Sequence, residues 1–191
     1  MCSPYVLKFI EDTLTEAEAK DKSVLESGAR EVNGSARPIF EKYAPASYVS
    51  TDLVAGKGVD QVCDAVDLVK TFGASKFDAV ISTEVLEHVR DWIATVGNYK
   101  RLLKPGGLLW ITTRSIGFPF HEYPEDHWRF DLGNMTAIFA DFEIVNLNDD
   151  PFEPGVFIKA RRPKKFKELT AEQYSAIPVW SIDAERESYG Q

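Results

Sequence analysis

The chain is short of the residues that hold metals, bridge loops or cross membranes. Its 191 residues include two cysteines, two methionines and three histidines. Cys2 and Cys63 stand far apart, and Cys63 lies in an apolar, strand-like run. That setting predicts a buried free thiol rather than a disulfide, and a reducing, cytoplasmic environment. Scattered histidines and cysteines match no zinc spacing, so no metal is expected. No apolar run approaches the roughly 20 residues of a membrane span. The N-terminus lacks the basic start and long apolar stretch of a secretory signal. Positive charge is also in deficit: 22 Lys and Arg against 30 Asp and Glu leave a formal net charge of −8. A nucleic-acid binder usually shows a basic face, so that class is set aside, as is a membrane partner.

What remains is an ordinary globular composition, and one domain is expected at this length. The expected division is a core over 22–162, an N-terminal helical segment 1–21 and a tail 163–191. Ser3-Pro4 starts a helix over 4–14 that buries Val6, Phe9, Ile10 and Leu14. Thr15 to Glu18 matches a capping box. Strands are predicted over 23–27, 47–51, 59–63, 77–82, 108–113, 142–148 and 155–161. Helices are predicted over 35–44, 65–72, 84–103 and 132–140, the last capped by Asp131. In the longest, Trp92, Val96, Tyr99 and Leu103 share a face, and Pro105-Gly106-Gly107 ends it. Asp149-Asp150-Pro151 joins the final two strands as a hairpin. Strands alternating with helices imply an α/β fold: a doubly wound, Rossmann-like, seven-stranded, mainly parallel sheet with helices on both faces. The closing pair, with no helix between, implies one antiparallel strand.

The chemistry begins where the first apolar strand meets Gly28, with Asp52 closing the next strand. Glycine lets backbone approach a ligand closely, and an acid at a strand end can accept hydrogen bonds from both ribose hydroxyls. That pattern points to a nucleoside site. Gly28 to Asn33 does not supply Gly-x-Gly-x-x-Gly, which argues against a nicotinamide-dependent dehydrogenase.

Three segments carry a family resemblance: Glu26-Ser27-Gly28-Ala29-Arg30, Ser82-Thr83-Glu84-Val85-Leu86-Glu87-His88, and Leu103-Lys104-Pro105-Gly106-Gly107. In order and spacing the chain resembles the class I S-adenosylmethionine-dependent methyltransferases, specifically the small group called type 11, over about residues 22–162. The resemblance implies a seven-stranded sheet with its last strand reversed. It implies S-adenosylmethionine as cofactor and S-adenosylhomocysteine as product. The cofactor residues it implies are Glu26, Gly28, Ala29, Arg30 and Asn33 in the glycine turn. They continue with Asp52 and Leu53 at the ribose, Asp64 and Ala65 at the adenine, and Thr83 and Glu84 where methyl group and acceptor meet. The sequence departs from the pattern where Arg30 replaces the usual second glycine and the next glycine is Gly34. Arg30 could instead pair with the cofactor carboxylate. A methyltransferase-like binding module without activity is the alternative that this departure supports. Glu87-His88 is a family hallmark, in which His88 reads as structural.

The loop from Arg114 to Arg129 holds two histidines, Tyr123, Trp128 and two arginines. Aromatic walls with a few polar heads mark loops that hold ligands. His121, Tyr123, His127 and Arg129 are therefore the candidate catalytic residues. The expected reaction is O-methylation by in-line displacement in a biosynthetic pathway. Against a hydroxyl of a sugar, glycan or secondary metabolite, His121 or His127 would be the base. Against a carboxylate no base is needed, and Arg114 and Arg129 would orient the anion. Two arginines flanking the loop lean the reading toward a carboxylate, of a small molecule or a peptide.

Overall fold

The computed structural model describes residues 4–31, 34–121 and 125–183. In chain order its elements are α1 (Pro4–Thr13), α2 (Glu16–Ala19), β1 (Ser23–Ser27), α3 (Arg37–Glu41), β2 (Ser47–Asp52), β3 (Gln61–Val62), α4 (Leu68–Phe72), β4 (Phe77–Thr83), α5 (Trp92–Leu102) and β5 (Leu103–Arg114). There follow β6 (Trp128–Arg129), α6 (Leu132–Ile138), β7 (Glu143–Asp149), β8 (Gly155–Arg161), α7 (Ala171–Ser175) and β9 (Trp180–Ser181). Seven strands form one sheet in the order β3-β2-β1-β4-β5-β8-β7. β1 to β5 run parallel, and β8 is antiparallel to both β5 and β7.

Successive side chains in a strand point to opposite faces, and both faces here are covered, so the middles of the central strands are apolar on both sides. Val24, Ala79, Ile81, Leu108, Trp110 and Phe157 face α1 and α3. Leu25, Val80, Leu109, Ile111 and Ile158 face α4, α5 and α6. Polar pins fix the layers. Trp110 Nε1 donates to Thr13 Oγ1 at 3.0 Å, holding the end of α1 on the sheet. Buried Lys100 on α5 spends its ammonium on Ile138 O at 2.5 Å, Asp141 Oδ1 at 2.6 Å and Tyr174 OH at 2.9 Å. All three protons are used, which is what makes a lysine tolerable there.

Two strand bounds, 23–27 and 155–161, are as predicted, and the hairpin, the Asp131 cap and the Thr15 capping box are present. Other elements differ. The spacing predicts one helix over 84–103, but α5 starts only at Trp92, where Asp91 Oδ1 accepts from Ala94 N at 2.8 Å. Before it lie Glu84 in a left-handed conformation and a short 3-10 turn, Leu86–His88. The apolar face is real, but the first eight residues belong to the sheet edge. Pro105-Gly106-Gly107 lies inside β5, with a register shift against β4. β3, α3 and α6 are shorter than predicted. Cys63 is half-exposed rather than buried.

The tail packs on the core. Tyr174 is buried against Trp92, and Thr170 with Gln173 forms a capping box on α7. Trp180–Ser181 pairs with Trp128–Arg129 as a second, two-stranded sheet. That pairing fixes the end of the loop after β5.

Candidate active site

The parallel strands present their C-terminal ends along one edge, where open α/β sheets bind ligands. β1 ends in Gly28, whose φ of +77° is a left-handed conformation glycine adopts without penalty. Gly28 N and Ala29 N both donate to Thr51 O, at 2.8 and 2.9 Å, tying the turn to β2. A Cβ at Gly28 would stand 2.1 Å from Val85 Cγ2, so the turn is also pressed against the segment after β4.

Asp52 ends β2. Its Oδ2 accepts from Arg30 N at 3.1 Å and its Oδ1 from Val54 N at 3.0 Å. Each oxygen thus has one backbone donor and keeps acceptor capacity, which suits a vicinal diol. Leu53 and Val54 are exposed beside it, an apolar shelf next to the acid. Asp64 caps the 3-10 turn Ala65–Asp67 through Val66 N at 3.1 Å, and Ala65 is buried. The aliphatic stem of Arg30 lies over Gly56, in the loop after β2. Buried Glu26 accepts from Ala36 N at 3.2 Å, Ser35 Oγ at 3.2 Å and Tyr48 OH at 2.8 Å, so its carboxyl serves the start of α3. Asn33 and Tyr123 lie outside the described residues.

Thr83 ends β4 opposite Thr112. Glu84 follows at φ +56°, uncommon for a residue with a side chain and costing of order 1–3 kcal/mol. Its carboxyl is buried, accepting from Thr112 Oγ1 at 2.8 Å and pairing with Arg114 Nε. Burial first, and then the charge of Glu87, push Glu84 up to about 8 against the pull of Arg114. Arg114 is itself buried. It lies 3.0 Å from Glu153 and 3.6 Å from Asp150, with its guanidinium over Phe118. Arg129 is likewise committed, to both oxygens of Asp126 at 2.5 and 2.7 Å. Burial would raise the Asp126 pKa, but hydrogen bonds from Arg129 and His121 hold it well below the usual carboxylate range. Neither arginine therefore presents an open guanidinium to an anionic acceptor, and the reason for preferring a carboxylate is gone.

The histidines separate. His127 is buried between Asp183 and Glu125, each 2.8 Å from one ring nitrogen. His121 is part-exposed, with Nδ1 an ion-pair distance of 3.0 Å from Asp126 Oδ2. Its ring packs edge-on against His88, centroids 4.8 Å apart. Beside them lies Glu87, fully buried, accepting from Thr113 Oγ1 at 2.8 Å through Oε2 alone. The fold thus joins His121 to Glu87 and His88, which the candidate catalytic set had left out. Their signal was present in Glu84-Val85-Leu86-Glu87-His88: two acids and a histidine at a strand end, hidden by the reading of that segment as helix.

A family model for the methyltransferase domain matches residues 4–147. The chain belongs to the methyltransferases. Its sheet order and single reversed strand are those of the S-adenosylmethionine-dependent class. Among curated relatives, the ubiquinone biosynthesis O-methyltransferase of Parvibaculum lavamentivorans is 28% identical over 129 residues, covering 66% of this chain and 49% of that protein. The chain thus spans about half the length of that relative. The 1,6-didemethyltoxoflavin-N1-methyltransferase of Burkholderia thailandensis, solved with its substrate and S-adenosylhomocysteine, superposes with a TM-score of 0.66 at 17% identity, over 83% of this chain and 78% of that one. An S-adenosylmethionine-dependent methyltransferase of Mesorhizobium loti gives 0.62 at 15%, over 81% and 96%. S-adenosylmethionine is the methyltransferase cofactor, and the spare acceptor capacity of Asp52 beside exposed Leu53 and Val54 is chemically suited to its ribose. Among the described residues, no helix is long and apolar enough to cross a membrane.

Proposed function

We propose that this methyltransferase methylates a hydroxyl oxygen of a small-molecule or peptide acceptor. The observation that carries the reading is the charge arrangement after β4 and β5. Arg114 and Arg129 are neutralised internally, whereas Glu87, His88 and His121 meet at the same edge. An anionic acceptor would face carboxylates there. A neutral hydroxyl, which must lose a proton, would face groups able to take or stabilise one. The oxygen chemistry in the name of the Parvibaculum relative supports the same choice.

S-adenosylmethionine, when bound, supplies a methyl carbon already activated by its positive sulfur. The chain's own contribution is placement. Gly28 and Ala29 hold the turn close, Asp52 accepts from the ribose hydroxyls, and Leu53 covers an apolar face. Val85, pressed against that turn, would hold the end of β4 and Glu84 toward the methyl group. The acceptor hydroxyl would lose its proton within the Glu87, His88 and His121 cluster as its oxygen takes the methyl carbon, the carbon–sulfur bond breaks and S-adenosylhomocysteine leaves. Holding two reactants in line supplies much of the rate in such a displacement. Of the candidate catalytic residues, His121 stands nearest this role, while His127 and Arg129 position the loop through Asp183, Glu125 and Asp126.

The test uses S-adenosylmethionine labelled in its methyl group and a panel of hydroxyl and carboxylate acceptors. A methyl ether survives mild base and a methyl ester does not. Label that survives base is expected; base-labile label would replace this reading with carboxyl methylation.

A further inference from the structure

We propose that Glu87, His88 and His121 form a binding site for one divalent transition-metal ion. One ligand atom from each lies within 4.8 Å of the others. Bonds of about 2.0–2.2 Å to a shared ion place neighbouring ligand atoms roughly 3–4 Å apart, so closure needs each to move by less than about 1 Å. Glu87 Oε1 and His88 Nε2 are already 3.8 Å apart, too far for a hydrogen bond and right for two ligands of one ion.

Two further features point to a ligand. Glu87 Oε1 is fully buried and has no hydrogen-bond partner, while its twin Oε2 takes Thr113. A buried carboxylate oxygen left so is rare and needs an explanation; a cation gives one. The His88 imidazole is also oriented from behind. His88 Nδ1 lies 2.5 Å from Glu125 O, which makes that nitrogen the donor and leaves the Nε2 lone pair for the cluster. His121 Nδ1 lies 3.0 Å from Asp126 Oδ2 but makes no hydrogen bond, a second buried polar atom of the cluster left without one. A carbonyl behind a ligating ring, as at His88, is a usual outer layer of a histidine metal site, fixing tautomer and angle. Two imidazoles and one carboxylate favour a borderline ion such as zinc, cobalt or manganese over calcium, and they leave coordination positions open. Counting ligands along the chain misses this site, because 33 positions separate His88 from His121.

The binding stands on these side chains alone. Its catalytic consequence rests on the hydroxyl-acceptor reading above: an acceptor oxygen in an open position would be oriented and would lose its proton at lower pH. The experiment titrates Co²⁺ into chelator-stripped protein and follows the visible absorption of bound cobalt, with Mn²⁺ followed by loss of its free-ion resonance. One equivalent is expected to bind. His88→Ala and His121→Ala should each weaken binding at least about 10-fold, since even outer-layer changes cost that much. Cys63→Ser should bind as wild type. Should buried Glu87→Gln fail to fold, the two histidine variants decide. Absence of saturable uptake, uptake indifferent to both histidines, or uptake lost in Cys63→Ser overturns the proposal. S-adenosylhomocysteine binding is measured on the same samples. Cofactor binding without cobalt binding removes the metal site and leaves the hydroxyl reading to its own label test; cobalt binding with base-labile methyl label removes the hydroxyl reading and leaves the metal site.

Discussion

Asp52→Ala should cost this methyltransferase most of its cofactor affinity. Each Asp52 oxygen holds one backbone N–H, from Val54 or Arg30, and has capacity for one ribose hydroxyl. A hydrogen bond to a charged acceptor contributes about 1.5–3 kcal/mol. Two of them, partly replaced by water in the alanine variant, correspond to at least about 100-fold in Kd at 1.4 kcal/mol per decade. Removing the carboxylate also frees the two backbone donors. They sit on a partly exposed edge where water can reach them, so the ligand-free protein should lose no more than about 1 kcal/mol. Calorimetric titration with S-adenosylhomocysteine gives the affinity, and thermal melting without ligand checks the fold. Direct diol contact is separated from loop loosening by repeating both titrations with 2′-deoxy-S-adenosylhomocysteine. The missing hydroxyl should cost the wild type about 10-fold or more and the variant little, since the contact is already gone. An Asp52→Ala Kd within threefold of wild type, or equal discrimination by both proteins, would refute the assignment.

Other perturbations reach the remaining links. Gly28→Ala puts a Cβ against Val85 in a left-handed turn, so the melting temperature should fall, with partial recovery in Gly28→Ala/Val85→Ala; no recovery would mean the turn is not held by that contact. Tyr174→Phe removes one acceptor from the buried Lys100 ammonium and should cost about 1.5–3 kcal/mol by denaturant unfolding. The loss should vanish in a Lys100→Met background, and full additivity would deny the coupling. Burial raises the Glu26 pKa above its ordinary 4.5. The native state therefore binds the proton more tightly than the unfolded chain, and this contribution is complete below about 4.5 and is lost as pH rises through the native value. Glu26→Gln, whose amide can donate to the rotatable Ser35 and Tyr48 hydroxyls, should flatten that fall in stability above pH 4.5; a profile parallel to wild type would count against it.

Periodicity and punctuation along the chain determined the architecture. Short apolar runs in buried strands, caps at Asp131 and Thr170, and the turn at Asp149-Asp150-Pro151 are local physics, and each works where the chain places it. Gly28 and Asp52 were legible for the same reason: a turn needing positive φ and an acid at a strand end are recorded in single residues. Tertiary structure decided which charged groups remain available. Arg129 is spent on Asp126, and Arg114 on Glu84, Glu153 and Asp150, and nothing in the local pattern distinguishes a paired guanidinium from an open one. It also decided that Glu84 to Arg90 would not be helical, although the apolar spacing there fits a helix, because those residues close the end of β4 against Gly28. The approach of His121 to Glu87 and His88 depends on the loop after β5 being held by Trp128–Arg129 against Trp180–Ser181, a pairing between residues about fifty positions apart. Such contacts depend on how the sheet edge and the tail meet, and only the folded chain brings them together.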